Sequence, residues 1–282
     1  MNDPAASRCH RHPEREAYIS CQRCERLICP ECMRDAAVGF QCPDCLAAGS
    51  KAVRQPRTIG GGAIPRIDGA ATRVLIGLNV VVYVLTGPLN LDRLTVYGAM
   101  IAERVVYDGT LVDGLVGGEY WRLVSSAFLH ANLFHLLFNM FALFLFGAYA
   151  ENLLGTTRFV AFYLVAAVFS SAAVYLLTDP YTPTVGASGA VFALFGFALI
   201  TLLKAGQDVR SLVVLLAINA FLSLQAGISW QGHLGGFIAG VLVGGALALA
   251  PRGRGGQAMV ASTVLLVVIA AAVVVVRTLS LT

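Results

Sequence analysis

Seven stretches of this chain are apolar enough to cross a lipid bilayer, and that limits the fold more than any other feature. They lie at about 72–88, 133–150, 158–178, 186–203, 209–226, 231–250 and 257–279. A hydrocarbon core roughly 30 Å thick takes about 20 apolar residues as a helix. Inside it every backbone N–H and C=O needs an internal partner, so such segments are helices packed on one another. Composition agrees: 13% of residues are charged, against about 25% in soluble domains. The expected fold is all-α, a polytopic membrane helix bundle carrying a small polar head. Lys and Arg set its orientation, because they collect on the cytoplasmic side. The inside segments are then the head, the turn at Arg158 and the loops 204–210 and 252–254. The outer loops around Asp179 and Gly227 carry no Lys or Arg. This puts the protein in the cell membrane, multi-pass, with its N-terminal domain cytoplasmic. The net charge of +4 then reads as topology, with the lipid bilayer as partner and no nucleic acid.

The head, 1–50, has its own chemistry. All seven cysteines fall in it, as Cys9-x2-His12, Cys21-x2-Cys24, Cys29-x2-Cys32 and Cys42-x2-Cys45. Two ligands separated by two residues grip one ion from a tight turn, and zinc takes four Cys or His ligands. Eight ligands suit two closed, structural zinc ions. A disulfide framework fits less well, because the cysteine number is odd and a histidine completes the fourth pair. A closed site has no open position for a reacting water, so the zinc is not catalytic and the head is a docking module for a cytoplasmic partner. Residues 51–71 follow, with Lys51, Arg54, Arg57 and Arg66 around Gly60-Gly61-Gly62. Their composition reads as a flexible basic linker.

Ionisable and amide side chains are costly in hydrocarbon, so each one inside a span needs a reason. His135 and Asn139 open the second span, four residues apart and hence on one helix face. Glu151 closes that span, Ser188 opens the fourth within Gly186-Ala187-Ser188-Gly189, and His233 lies early in the sixth. These three spans run in the same direction, so His135, Asn139, Ser188 and His233 share one depth near the outer surface. Gly236 and Gly240 give the sixth helix a small-residue face for close packing on the fourth. The glycines around Ser188 are explained by packing alone, or by a nucleophile that must stay reachable. A neutral His can take the proton of a serine hydroxyl, and attack on an amide creates an oxyanion that needs donors. His135, Asn139 and the Ser188 backbone N–H can supply them. No carboxylate lies at that depth, so the arrangement is a Ser188–His233 dyad. Glu151 braces a helix end, and Trp121-Arg122 anchors an interfacial first loop, 89–132.

The head resembles a B-box-type zinc finger, with Cys42 and Cys45 where a His pair is usual. That resemblance implies cross-bracing: Cys9, His12, Cys29 and Cys32 on one ion, and Cys21, Cys24, Cys42 and Cys45 on the other. The body, 72–250, resembles the rhomboid family of intramembrane serine proteases. The matching features are Trp121-Arg122, His130, His135, Asn139, Gly147-x3-Glu151, the Gly186–Gly189 motif, and His233 with Gly236 and Gly240. The resemblance implies a six-helix protease core, with 251–282 an additional C-terminal transmembrane helix. It implies a serine endopeptidase that cuts single-span membrane proteins near the outer leaflet, with Ser188 the nucleophile and His233 the base. His135 and Asn139 would line the oxyanion site. Some members carry a tyrosine stacked on the histidine one turn after the serine; here that residue is Phe192. The alternatives are an inactive rhomboid-like protein that binds or regulates membrane partners, and a transporter, against which the near-surface polar layer argues.

Overall fold

The computed structural model describes residues 7–52, 56–86, 91–107, 109–225 and 227–282, with backbone alone at Leu91 and Asp92. Arg54 of the expected linker, and 87–88 at the end of the first expected span, lie outside the described residues. The chain forms two compact units, Met1–Pro56 and Arg57–Thr282. The smaller is built from two short antiparallel hairpins, β1 (Ile19–Ser20) with β2 (Leu27–Ile28) and β3 (Arg34–Asp35) with β4 (Phe40–Gln41), followed by α1 (Pro43–Ala52). Its interior is Cys9, Ala17, Cys21, Ile28, Cys29, Cys32 and Cys42. One isoleucine and one alanine among five cysteines bury too little apolar surface to hold such a domain together.

The larger unit is helical. It comprises α2 (Ala70–Thr86), α3 (Leu91–Tyr97), a hairpin of β5 (Val105–Tyr107) and β6 (Thr110–Val112), and the one-turn α4 (Arg122–Ser125). Then come α5 (Leu133–Ala142), a π-helical turn at Leu143–Gly147 and α6 (Ala148–Leu154), which form one rod. The remainder is α7 (Thr156–Leu177), α8 (Ser188–Lys204), α9 (Arg210–Leu222), α10 (Trp230–Leu249) and α11 (Gly255–Leu281). Each expected span coincides with a helix. Four are long and apolar enough to cross a bilayer: Leu133–Leu154, α7, α10 and α11. The helices α2, α8 and α9 are apolar but shorter. Exposed Val74, Val81, Phe134, Phe138, Phe141, Val264 and Val268 make the outside of the bundle apolar, as lipid demands. The protein is a multi-pass membrane protein.

The centre of the bundle is α8, whose residues from Gly189 to Ala198 are all buried. It packs chiefly on α10. A methyl added at Gly236 would stand 1.9 Å from the Gly189 carbonyl oxygen, and one at Gly240 would stand 1.9 Å from that of Ala193. The two backbones therefore touch, which side chains at those positions would prevent. At about 1.5 Å per residue the 17 residues of α8 span roughly 26 Å. That is less than the bilayer core.

Two buried charges tie distant segments together. Glu151 is fully buried and accepts four hydrogen bonds. Oε1 takes them from the Ala71 backbone N–H at 3.1 Å and the Thr156 hydroxyl at 2.9 Å; Oε2 takes the Thr72 N–H and hydroxyl, both at 3.0 Å. It thus satisfies orphan donors in the first turn of α2 and contacts the start of α7, as a carboxylate at helix N-termini should. Arg122 is 1% exposed. Its guanidinium donates to Glu119 Oε2 at 2.7 Å and to the carbonyls of Thr95 (2.7 Å), Ala99 (3.0 Å) and Val96 (3.2 Å), so it caps the C-terminal end of α3. The expected interfacial anchor is therefore divided. Trp121 is exposed, while Arg122 turns inward because the orphan carbonyls of α3 need a donor.

Composition marks 51–71 as a flexible linker, yet part of it is packed. Gly60 donates its N–H to the Leu153 carbonyl at 3.0 Å, Arg158 donates to the Gly60 carbonyl, and Thr58 and Gly62 close a turn. Glycines here serve close contact with 153–156 rather than freedom.

Glu151→Gln sets an amide NH2 against donors that now share a carboxylate. We expect a loss of about 3 kcal/mol, read as a lowered midpoint of thermal unfolding in detergent. Unchanged stability would show that these four bonds do not hold α2 in place.

Candidate active site and metal centres

The polar residues of the second and sixth expected spans come from helix starts whose caps are local, while α8 begins without a side-chain cap. Asn132 Oδ1 accepts the His135 N–H at 2.9 Å and starts α5. Ser229 Oγ accepts the Gly232 N–H at 3.2 Å and starts α10. Such caps satisfy donors that the first turn leaves free. They put His135 and His233 in first turns, beside Ser188 at the start of α8.

The loop entering α8 is held by the first loop. Met100 and Thr184 exchange two backbone hydrogen bonds at 2.8 Å, and Gly186 donates to the Ser126 carbonyl at 2.9 Å. Gly186 has φ +134°, a conformation that favours glycine. A methyl there would lie 2.7 Å from the His135 ring and 3.5 Å from Ser188 Oγ, so both groups converge on this turn. The backbone N–H groups at the start of α8 have no intrahelical acceptor and are available to an anion. Phe192, one turn after Ser188, stacks flat on His233, with ring centroids 4.1 Å apart and 8° between planes. The phenyl ring fills the expected place without a hydroxyl.

The expected residues do not all point as expected. No hydrogen bond joins Ser188 to His233 among the described residues; the hydroxyl is unengaged. Catalytic hydrogen bonds are often long without a substrate. Asn139 is buried, but its Nδ2 donates to the His135 carbonyl at 2.8 Å, so one amide proton is spent within the helix. His130 lies outside the spanning helices, edge-on to His135 at 5.2 Å. Burial, and then His135, push its pKa down to about 3, so it is neutral. The residue that sequence reasoning missed is Ser223, just past α9, whose Oγ is 2.5 Å from His233 Nδ1. Its sole signal is a hydroxyl close to the Gly227 hairpin, ten residues before His233. A small cavity beside Ser188 is lined by the hydroxyls of Ser126, Ser170, Ser171 and Ser229. A hydroxyl, imidazoles and helix-start N–H donors thus gather around the Gly186 turn and Phe192, group types that acyl transfer uses.

In the head, Cys9, His12, Cys29 and Cys32 form one cluster and Cys21, Cys24, Cys42 and Cys45 another, with ligand atoms within 4.8 Å of one another. His12 Nδ1 is 3.3 Å from Cys29 Sγ and 3.4 Å from Cys32 Sγ, and Cys24 and Cys42 Sγ atoms are 3.8 Å apart. Tetrahedral zinc with bonds near 2.3 Å separates its sulfurs by about 3.8 Å, so the donor sets fit that ion. Burial raises the Cys9 and Cys21 thiols, but backbone N–H groups outweigh it and bring both down to about 6, which favours the ligating thiolate. His10, outside the spacing, pairs with Asp44 at 3.2 Å.

Comparison with known proteins adds an independent line. The chain matches the Rhomboid domain family over 117–250 and the B-box zinc finger family over 4–36. It is 33% identical over 175 residues to "Rhomboid protease GluP" of Bacillus subtilis (strain 168), covering 60% of this chain and 34% of that protein. It is 36% identical over 137 residues to "Putative rhomboid protease YdcA" of the same organism, covering 46% of this chain and 68% of the relative. It is 29% identical over 215 residues to "Rhomboid protease AarA" of Providencia stuartii, covering 64% and 74%. The chain thus spans about a third of the first relative's length and more of the other two.

Gly236→Ala forces α10 away from α8. A displacement of about 1 Å at a reacting pair can cost on the order of 100-fold, so labelling of Ser188 by a serine-reactive phosphonate should slow by that order. Gly245→Ala, which has open space around it, should label at the wild-type rate. Equal rates in both variants would remove close helix approach as the positioning device.

Proposed function

The chain belongs to the rhomboid family, and from that premise we propose that it is an intramembrane serine endopeptidase working through Ser188 and His233. The observation that carries this reading is the flat stack of Phe192 on His233. It sets the imidazole against the helix turn that begins with Ser188. In the mechanism we infer, His233 takes the Ser188 proton as Oγ attacks the scissile carbonyl, then passes it to the leaving amine. The first N–H groups of α8 and the side chains of His135 and Asn139 face the developing oxyanion. Removing one such donor costs roughly 3–4 kcal/mol of transition-state stabilisation. A nucleophile at the start of a helix buried in a membrane bundle suits a substrate that presents its bond at the membrane, a single-span membrane protein. With the basic loops cytoplasmic, the cut falls near the outer leaflet and the N-terminal head is cytoplasmic.

Ser188→Ala in the full-length protein, purified in detergent, should abolish cleavage of a single-span substrate while leaving thermal stability within the control range. Cleavage that persists in this variant would overturn the reading and leave a membrane-binding role.

We further propose that the head holds two structural zinc ions, one per cluster, and docks a cytoplasmic partner. Metal analysis of the reduced protein should give about two zinc per chain from eight ligands. Cys24→Ser should lower this to about one. A wild-type value near zero would count against metal in the head.

A further inference from the structure

His233 is held on two sides, and only one of them is the Phe192 stack. On the other, Ser223 Oγ lies 2.5 Å from Nδ1. Ser223 is 4% exposed and follows the last residue of α9. The same Oγ is 2.7 Å from the Asn219 carbonyl oxygen. That carbonyl can only accept, so the one hydroxyl proton of Ser223 is committed to it. The Ser223 oxygen then meets Nδ1 with a lone pair, and Nδ1 must bring the proton. The neutral imidazole is thereby fixed as the Nδ1–H tautomer, with the lone pair on Nε2, the nitrogen left for Ser188.

We propose that Ser223 is the positioning residue of the site, doing with a neutral hydroxyl what a carboxylate does in a three-member triad. This rests on the Ser188–His233 reading. A carboxylate at this depth would have to be desolvated. A hydroxyl whose proton goes to the second lone pair of the Asn219 carbonyl, which also takes the Ser223 N–H at 2.9 Å, meets the same need for orientation without a charge. The bond also joins the end of α9 to the first turn of α10 across the Gly227 hairpin, so the imidazole is oriented by the segment that carries it.

The test compares Ser223→Ala and Ser223→Thr with the wild type as full-length protein in detergent. General-base help contributes on the order of 10²–10⁴-fold, and a mis-set tautomer gives up part of it. Ser223→Ala should lower kcat, and the rate of Ser188 phosphonate labelling, by about 10- to 100-fold with KM unchanged. Ser223→Thr, which keeps the hydroxyl, should recover most of both. In ¹⁵N-histidine spectra, the His233 resonances, assigned by difference with His233→Asn, should show Nδ1 protonated in wild type and mixed tautomers in Ser223→Ala. Wild-type rates in Ser223→Ala, or a loss that Ser223→Thr fails to restore, would overturn the proposal. A loss shared by KM and thermal stability with an unchanged tautomer would also overturn it, by showing packing alone. Ser188→Ala and His233→Ala run in parallel: activity in either refutes the dyad itself, a separate result.

Discussion

The direct contact between the α8 and α10 backbones governs this molecule. In hydrocarbon no hydrophobic force draws two apolar helices together, so fit must supply the association. Gly236 lies on Gly189 and Gly240 on Ala193, with no room for even a methyl between them. That contact buries α8 on nearly every side and makes it the axis of the bundle. It also lays His233 on Phe192, which stands one helical turn along α8 from Ser188. These glycines fix the separation of the two helices that carry Ser188 and His233.

Around this axis, irregular segments are tied down by buried polar groups together with buried apolar side chains such as Met100, Ile101 and Leu115. Arg122 gathers the end of α3, and backbone pairs between Met100 and Thr184 carry that order to the turn before Ser188. The site is thus built from a loop, two capped helix starts and a hairpin end, all referred to a rigid centre. Free N–H groups at the start of α8 are leftovers of helix geometry, and the Asn219 carbonyl near the end of α9 has a lone pair to spare beyond the Ser223 N–H. Here they stand where an anion and a hydroxyl proton, respectively, find use.

Much of this was legible in the chain. Hydropathy marks a helix at each expected span, the spacing of Cys and His pairs matches the two clusters, and Glu151 braces a helix end as its position suggests. The rest was hidden for physical reasons. Arg122 is basic beside an exposed aromatic, a pattern shared by interfacial anchors; its inward turn depends on where α3 ends. Ser223 is one hydroxyl among many, and its meaning comes from a tertiary contact. Asn139 has the right position, yet its amide turns back onto its own helix. Gly60–Gly62 looks like linker because composition cannot distinguish glycine chosen for freedom from glycine chosen for tight contact.

Glu151 holds one last consequence, for the order of synthesis. The donors it satisfies on α2 lie 79 and 80 residues earlier in the chain. When the first helix leaves the ribosome, its cap has not yet been translated. The helix settles into its final seat when the end of the rod Leu133–Leu154 arrives. The opening helix thus waits 79 and 80 residues for the carboxylate that caps it, while the helices from α7 onward are added after that clasp has been made.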